Sequence, residues 1–288
     1  MLKQILWTAC VTPFTASGDA IDTKSLEKLL DIQAESGNGI VLFGSTGEGL
    51  SFTDAERRQL VTFVCTLKIK APVLVGVPSS NLYQALEWME FCRDFPIDGY
   101  LMTTPIYTKP GVMGQTLWFE TLMNKAHKPA MLYNIPSRAG ISLHTETVQN
   151  LSQHERFAAI KDSSGTVDSL VAYKMVAPEI AVFCGDDYMM PSMAAEGAAG
   201  LVSIASNAWP VATRRYVVQA LKSEYNTHSK VWWQASKAIV AASNPIPIKA
   251  LLHDLKLIEH DTVRLPLSIQ DLPSRENLRQ IHQLIAGV

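Results

Sequence analysis

The sequence predicts an α/β protein, a (β/α)8 TIM barrel with additional C-terminal helices. Short runs of β-branched and apolar residues alternate with longer segments of helical periodicity, which is the pattern of repeated βα units with parallel strands. Eight such runs follow one another, the number that closes this barrel. A chain of 288 residues, 47% of them apolar, is long enough to bury one core of that size.

Eight short apolar runs are the predicted strands. In chain order they are Ile5–Val11, Gly39–Phe43, Val73–Gly76, Gly99–Thr103, Ala130–Asn134, Phe157–Lys161, Ala181–Cys184 and Leu201–Ser203. Between them lie segments long enough for the crossover connections that parallel strands need. The predicted helices among these segments include Thr23–Ser36, Asp54–Lys68, Leu82–Phe91 and Gly114–Ala126.

A doubly wound open sheet is the structural competitor, because it also alternates strands and helices. The first predicted strand ends in Val11-Thr12-Pro13 without a glycine-rich dinucleotide turn, which favours the barrel. After the eighth strand, Val231–Ala242 and Arg275–Ala286 provide more helix than one closing element needs. We therefore predict a catalytic barrel over residues 1–224 and a helical extension over residues 225–288, packed on the barrel.

Composition limits the partners of the chain. The net charge of -2, without a long basic run, argues against nucleic acid or an anionic membrane and favours small-molecule substrates. The four cysteines form no Cys-x-x-Cys pair, as expected for reduced core thiols. No run reaches the ~18 apolar residues of a membrane span, so we expect a cytoplasmic protein. The seven histidines form no His-x-x-x-His pair, which leaves a metal-dependent mechanism little support.

Polar residues at the carboxyl ends of barrel strands are the candidates for catalysis, because the βα loops converge there. Lys161 closes an apolar run and is followed by Asp162-Ser163-Ser164-Gly165. A lysine desolvated in such a place has a pKa lowered towards about 7–8 and attacks carbonyl groups. A strand-end lysine whose ammonium reaches solvent is the alternative, and Lys161 alone does not decide between them.

The second strand ends in Gly44-Ser45-Thr46-Gly47-Glu48. Two glycines allow the backbone to turn sharply around Ser45 and Thr46 and to expose N–H groups to a carboxylate. A Ser/Thr cap between strand and helix is the alternative. Asp186-Asp187, at the end of the seventh strand, could ligate a cation, but we expect these acids to cap a helix beginning near Tyr188.

Two phenols and a guanidinium complete the candidate site. Tyr107 follows the fourth strand and Tyr133 lies at the end of the fifth, and they could relay protons through the hydroxyl of Ser45 or Thr46. Taken alone, the residue type of each favours a core or interface aromatic with a satisfied hydroxyl, which is the alternative. Arg138 is placed for bidentate recognition of a carboxylate, with a solvated or acid-paired surface arginine as the alternative.

Motifs along nearly the whole chain resemble one family. They are Val11-Thr12-Pro13-Phe14, Gly-Ser-Thr-Gly-Glu, Tyr-Asn-Ile-Pro-Ser-Arg, Ile-Lys-Asp, Cys-Gly-Asp-Asp, Asn244-Pro245-Ile246-Pro247-Ile248-Lys249 and Arg264-Leu265-Pro266. The chain resembles the dihydrodipicolinate synthase family, of the pyruvate-dependent class I aldolase superfamily that also includes N-acetylneuraminate lyase. The resemblance implies the (β/α)8 barrel and a Schiff base between Lys161 and pyruvate, with no other cofactor and no metal.

Further roles follow from the same resemblance. Ser45 and Thr46 would hold the pyruvate carboxylate, and backbone groups near Gly185 and Val202 would line the pocket. Tyr133 would be the acid and base, connected through Thr46 to a tyrosine matching Tyr107. In the family that tyrosine reaches across a tight dimer, which implies a homotetramer built as a dimer of tight dimers.

The resemblance also assigns the second substrate. Arg138 would hold the carboxylate of L-aspartate 4-semialdehyde at the entrance of the site. Ser45 stands where this family usually has a threonine, and serine at this position is also typical of N-acetylneuraminate lyase. The alternative is therefore N-acetylneuraminate lyase or 2-keto-3-deoxy sugar acid aldolase activity. A non-enzymatic binding protein would ordinarily have lost Lys161 or Tyr133. Ile106, with Asp54 and Gln84, replaces residues of the family's lysine-sensitive members, so we expect weak feedback inhibition by lysine or none.

Overall fold

The structure is a computed structural model that describes residues 2–224 and 229–287. Eight parallel strands form a closed barrel in chain order, with the last strand beside the first. The strands are β1 Leu6–Ala9, β2 Gly39–Leu42, β3 Val73–Val77, β4 Gly99–Thr103, β5 Ala130–Asn134, β6 Phe157–Asp162, β7 Ala181–Cys184 and β8 Gly200–Ser203. The predicted (β/α)8 TIM barrel is confirmed.

Helices follow the strands around the barrel. They are α1 Thr23–Glu35, α2 Asp54–Thr66, α3 Leu82–Phe91, α4 Val112–Lys125, α5 Pro136–Ala139, α6 Thr145–Leu151, α7 Asp168–Val176, α8 Met190–Ala195, α9 Pro210–Leu221, α10 Ser229–Ala238, α11 Ile246–Asp254 and α12 Glu276–Ala286. The last three are the additional C-terminal helices. None of the helices in these described ranges is long and apolar enough to cross a membrane.

The barrel interior is filled by alternate residues of the strands. Trp7, Leu74, Met131 and Phe183 belong to this buried cluster. A Cβ atom on Gly39 would lie 2.3 Å from the ring of Trp7, so the indole occupies the space that a side chain on β2 would need. A second, larger apolar core separates the strands from the helices. Strands buried on both faces explain why they are nearly continuous apolar runs in the sequence.

Several predicted boundaries differ from the structure, most of them by a residue or two. The first strand was expected to reach Val11, but it ends at Ala9 because the Val11 N–H donates to Asn207 Oδ1 at 3.1 Å instead of joining the ladder. The helix expected over Val231–Ala242 ends at Ala238. The predicted division between residues 224 and 225 adjoins residues outside the described ranges, and it stays a prediction.

The C-terminal segment is closely joined to the barrel. In α11 the first seven residues are all buried, including Lys249, whose side chain is fully inaccessible to solvent. Lys249 Nζ reaches the carboxylate of Glu48 in the loop after β2, and the Asn244 side chain reaches Thr46 in the same loop. This segment therefore completes the carboxyl end of the barrel.

Candidate active site

Lys161 lies near the carboxyl end of β6, with Tyr133 of β5 and Phe183 of β7 as its neighbours in the sheet. Its alternation with Ala159, an interior residue, directs its side chain into the barrel. Lys161 is 5% exposed, and its Nζ lies 4.1 Å from the centroid of the Tyr133 ring. A buried amine beside a phenol is therefore present, and the exposed-lysine alternative is wrong.

Gly185 provides the space for this lysine. A Cβ atom on Gly185 would lie 3.0 Å from Lys161 Cε and 2.0 Å from Ser163 Oγ. The Gly185 N–H donates to the Asp162 carbonyl at 2.7 Å, which holds β7 tightly against β6 at this point. Any side chain at position 185 would displace the serine and crowd the lysine.

The loop after β2 offers hydrogen-bond donors. It turns between the carbonyl of Gly44 and the N–H of Gly49, 3.1 Å apart, and a Cβ on Gly47 would lie 2.9 Å from the carbonyl oxygen of Cys10. Within the part of the chain that is described, the amide N–H groups of Ser45 and Thr46 have no hydrogen-bond partner. Two neighbouring free amides are suited to an anionic group such as a carboxylate.

A buried ionic cluster holds the other end of this loop. The Glu48 carboxylate, at a residue with φ of 54°, accepts hydrogen bonds from Lys249 Nζ and, at 2.8 Å, from the Arg264 N–H. Burial lowers the pKa of Lys249 to about 8, while the charge of Glu48 opposes that shift. Lys249 Nζ also donates to the Thr262 carbonyl at 2.8 Å. These partners rigidly position the loop.

Tyr133 and Arg138 border a pocket together with Ser45, Thr103 and Ile106. Arg138 is on the short helix α5, exposed to solvent, and its Nη2 donates to the Asn244 carbonyl at 3.2 Å. Lys161 lies behind the Tyr133 ring rather than on the pocket wall. The pocket thus runs from an arginine at the rim to a phenol that contacts the buried amine.

Tyr107 lies apart from this group, whereas Val202 belongs to the same buried cluster as Tyr133. The Tyr107 side chain is 92% exposed, at a residue with φ of 69°, and no contact with Thr46 or Tyr133 occurs among the residues described. Val202 is fully buried in β8, inside the barrel. The structure of one chain therefore brings Lys161, Tyr133 and the β2 loop together, but leaves Tyr107 facing outwards.

The two acids after Gly185 have different surroundings. Burial raises the pKa of Asp186 to about 6, and the charge of Lys161 opposes this rise. The Asp187 carboxylate accepts hydrogen bonds from the Ser203 hydroxyl and from the N–H groups of Ile204, at 3.0 Å, and Ala205, at 3.4 Å. The expected cap of a helix near Tyr188 is wrong, because Asp187 instead holds the loop after β8.

Sequence reasoning assigned no role to Glu48, Asn244, Lys249 or Arg264, although each stands in a quoted motif. A buried glutamate after a glycine turn and a lysine inside an apolar helix, Ile246–Asp254, were the available signals. Glu48 and Lys249 are partners of each other, but they are 201 residues apart in the chain, so no local pattern indicated that they meet. In the described ranges, no group of three or more His, Cys, Asp or Glu side chains could hold a metal ion.

Known proteins resemble this chain over its full length. The model of the dihydrodipicolinate synthetase family matches residues 2–285. A 4-hydroxy-tetrahydrodipicolinate synthase of Wolbachia pipientis subsp. Culex pipiens is 65% identical over 287 residues, covering 100% of this chain and 98% of its own length. One of Chlamydia pneumoniae is 50% identical over 266 residues, covering 92% of this chain and 90% of its own length.

Solved structures show the same architecture. The dihydrodipicolinate synthase of Thermotoga maritima has a TM-score of 0.92 at 25% identity, covering 100% of both chains. The enzyme of Cyanidioschyzon merolae, solved with lysine bound, has a TM-score of 0.92 at 29% identity, covering 99% of this chain and 98% of its own. The chain described here belongs to the dihydrodipicolinate synthetase family.

Proposed function

We propose that this chain is a 4-hydroxy-tetrahydrodipicolinate synthase, a lyase that condenses pyruvate with L-aspartate 4-semialdehyde on the route through diaminopimelate to lysine. The single observation that carries the chemistry is the buried Lys161, beside Tyr133 and with its space provided by Gly185. The activity named for relatives 65% and 50% identical over nearly the whole chain supports the choice of substrates.

The first half of the reaction uses pyruvate alone. The Lys161 amine adds to the keto carbon, and loss of water gives an iminium, a covalent Schiff base that serves in place of a cofactor. The free amides of Ser45 and Thr46 bind the carboxylate, with Gly185 and Val202 at the inner side of the site. Tyr133 transfers protons, and loss of a methyl proton then turns the iminium into an enamine.

The second half joins the two substrates. The enamine carbon attacks the aldehyde carbon of the semialdehyde, whose oxygen takes up a proton and becomes a hydroxyl group. The amine of the semialdehyde then attacks the former keto carbon, closes the ring and releases the Lys161 amine. Arg138 binds the semialdehyde carboxylate at the rim, where its planar fork matches two oxygens.

We assign Tyr107 to the site of a second subunit. A phenol that is 92% exposed on one chain cannot relay protons to Tyr133 of the same chain through Thr46 without a rearrangement of its loop. A tight dimer that presents Tyr107 to its neighbour resolves this, and two such dimers give the homotetramer. Exposed Leu50 and Tyr83, which are large and apolar, also favour an interface on the chain.

The direct test is to trap the Schiff base. Sodium borohydride added with pyruvate is expected to reduce the iminium and add the mass of the pyruvate-derived group to the peptide that carries Lys161. Lys161→Met should abolish both the trapping and the condensation activity, whereas Lys24→Met, which removes an exposed lysine, should preserve both. An unmodified Lys161 peptide in the active wild-type enzyme would overturn the mechanism.

Two further assays test the choice of the second substrate and the response to lysine. Semialdehyde with pyruvate should give product, whereas N-acetylneuraminate should release no pyruvate; the reverse result would establish the lyase alternative. Lysine added to the same assay is expected to reduce the initial rate little or not at all, because Ile106, Asp54 and Gln84 stand where lysine-sensitive members of the family have other residues. Near-complete inhibition by sub-millimolar lysine would contradict this expectation.

A further inference from the structure

Asn244 lies between the two groups that would bind the two substrates. Its side-chain Nδ2 donates to Thr46 Oγ1 at 2.9 Å, and its backbone carbonyl accepts from Arg138 Nη2 at 3.2 Å. The residue is 8% exposed and immediately precedes Pro245 and helix α11. The buried start of α11 and the Lys249 to Glu48 contact hold it in place against the β2 loop.

The orientation of the Asn244 amide follows from its surroundings. As placed, one N–H group is bonded to Thr46 and the buried Oδ1 has no partner among the described residues. The reversed amide would let Oδ1 accept from the Thr46 hydroxyl, but it would leave both N–H donors of Nδ2 without a partner. Buried unpaired donors are rarer in proteins than carbonyl oxygens with unused lone pairs, so the observed orientation is favoured.

This orientation decides which way the Thr46 hydroxyl donates. A hydroxyl has one proton and two lone pairs, and one lone pair of Thr46 Oγ1 is occupied by the Asn244 N–H. Thr46 is 1% exposed, so its proton cannot be donated freely to bulk water. The proton is therefore left for another acceptor near the free amides of Ser45 and Thr46, in the loop whose Ser45 lines the pocket.

We propose that Asn244 is a positioning residue that fixes the Thr46 hydroxyl as a donor to the pyruvate carboxylate in the binding step, before the proton transfers in which Thr46 would join Tyr133 to Tyr107. This inference rests on the proposed function, since it concerns the carboxylate of that substrate. The side chain acts only through Thr46, whereas Arg138 is held by the backbone carbonyl, which every substitution keeps. Asn244 therefore controls pyruvate binding through its side chain and the semialdehyde site through its main chain.

Asn244→Asp is the sharp test, because the shape is kept while the donor to Thr46 becomes an acceptor. The Thr46 hydroxyl then donates to the introduced carboxylate instead of the substrate. The pyruvate concentration that half-saturates borohydride trapping should rise roughly tenfold or more, since a hydrogen bond to a charged group is lost. The KM for the semialdehyde should stay within about twofold, because the carbonyl that holds Arg138 is unchanged.

Two companion variants separate positioning from folding. Asn244→Ala removes the donor but leaves Thr46 free to rotate, so its effect on trapping should be smaller than that of Asn244→Asp. In a Thr46→Val background, Asn244→Asp should weaken trapping no further, because the hydroxyl it acts on is gone. Asn207→Ala removes a buried asparagine that bonds only backbone groups, and it should lower the melting temperature without changing half-saturating pyruvate.

Equal losses from Asn244→Asp in the wild-type and Thr46→Val backgrounds, or unaltered trapping in Asn244→Asp, would overturn the inference. A parallel rise in the KM values of both substrates would do so as well, since it would indicate a general disturbance of the rim. Trapping needs pyruvate alone, so it decides this inference even if condensation with the semialdehyde fails and the proposed function is wrong.

Discussion

At the scale of single residues, the chemistry of Lys161 depends on the absence of a side chain at the neighbouring Gly185. Gly185 has no side chain where one would meet Ser163 Oγ and Lys161 Cε. The lysine shares the space between β6 and β7 with one small hydroxyl, and its amine rests on the ring of Tyr133. A change of one methyl group in this space is therefore expected to act on catalysis before it acts on the fold.

Gly185→Ala should lower kcat/KM for pyruvate by roughly 100-fold, because a displacement of the reacting amine by about 1 Å has an effect of that size. Gly185→Ala combined with Ser163→Ala removes the closest obstacle, at 2.0 Å, and should restore part of the lost rate. Gly111→Ala is the matched control, since a Cβ there meets nothing within 4 Å. Steady-state kinetics with pyruvate as the varied substrate would measure all three, and full activity in Gly185→Ala would contradict the account.

The reactive residue was predictable from sequence, whereas its supports were not. An apolar run that ends in Lys161 indicates a buried strand end, and strand ends of a barrel gather at one rim. Glu48 gave no such signal, because its partners Lys249 and Arg264 follow 201 and 216 residues later. Asp187 illustrates the same limit: a local capping rule was overruled by Ser203 and the loop after β8.

At the scale of elements, the helix after the substrate loop is fixed at both its start and its side. α2 begins with a capping box between Thr53 and Glu56. Glu56 also pairs with Arg264, whose guanidinium lies 4.3 Å from the centroid of Phe14 and 5.4 Å from that of Phe52. One arginine near the C-terminus thus joins α2 to the loop that carries Ser45 and Thr46.

This pairing predicts a pH dependence of stability. The hydrogen bond from Arg264 lowers the pKa of Glu56 from 4.5 to about 2, so the stabilisation is fully present above about pH 5 and is lost as the pH falls towards 2. Glu56→Gln should lower the melting temperature by roughly 2–4 °C at pH 7, for a loss near 1 kcal/mol, and by less at pH 3.

Thermal unfolding of the wild type and of Glu56→Gln between pH 3 and 7 would measure this difference. Glu155→Gln is the control, because Glu155 is 79% exposed in its pair with Arg156 and surface pairs contribute little. A gap between wild type and Glu56→Gln that stayed constant over this pH range would show that the Arg264 contact does not lower the pKa of Glu56.

Strands were predicted more accurately than helix ends. A barrel strand packs against the barrel interior on one face and against the helices on the other, so it is apolar on both faces and its bounds coincide with a change in composition, as for Gly99–Thr103 and Ala130–Asn134. Composition predicts the wrong strand end where a tertiary hydrogen bond competes with the bonds of the sheet. Val11 is apolar and buried, but its N–H donates to Asn207 instead of to a neighbouring strand. Helix ends depend on such bonds more often, and α10 ends four residues before the apolar pattern does.

At the scale of the whole molecule, the exposed Tyr107 predicts that subunits share sites. Lys161→Met and Tyr107→Phe chains are each expected to have low activity alone. Mixed and reassociated, about half of the dimers contain one chain of each kind, and each of these has one complete site, so activity should recover to about a quarter of wild type.

Light scattering on each preparation should report the same assembly as the wild type, which excludes an effect on oligomer formation. Copurification of tagged chains would verify that subunits have exchanged. If activity does not recover after this exchange, Tyr107 acts in the site of its own chain. The sequence could suggest this role only through resemblance, because a side chain that acts on another subunit leaves no pattern in its own strand or helix.

The contacts that Glu48 makes with Lys249 and Arg264 also affect folding while the polypeptide is being synthesised. Glu48 leaves the ribosome early, but Lys249 and Arg264 emerge only when the polypeptide is almost finished. Until then the Glu48 carboxylate would lack both the Lys249 ammonium and the backbone N–H of Arg264, so the loop that receives pyruvate cannot mature on a nascent chain. Prematurely terminated fragments should consequently be inert, however complete their eight strands.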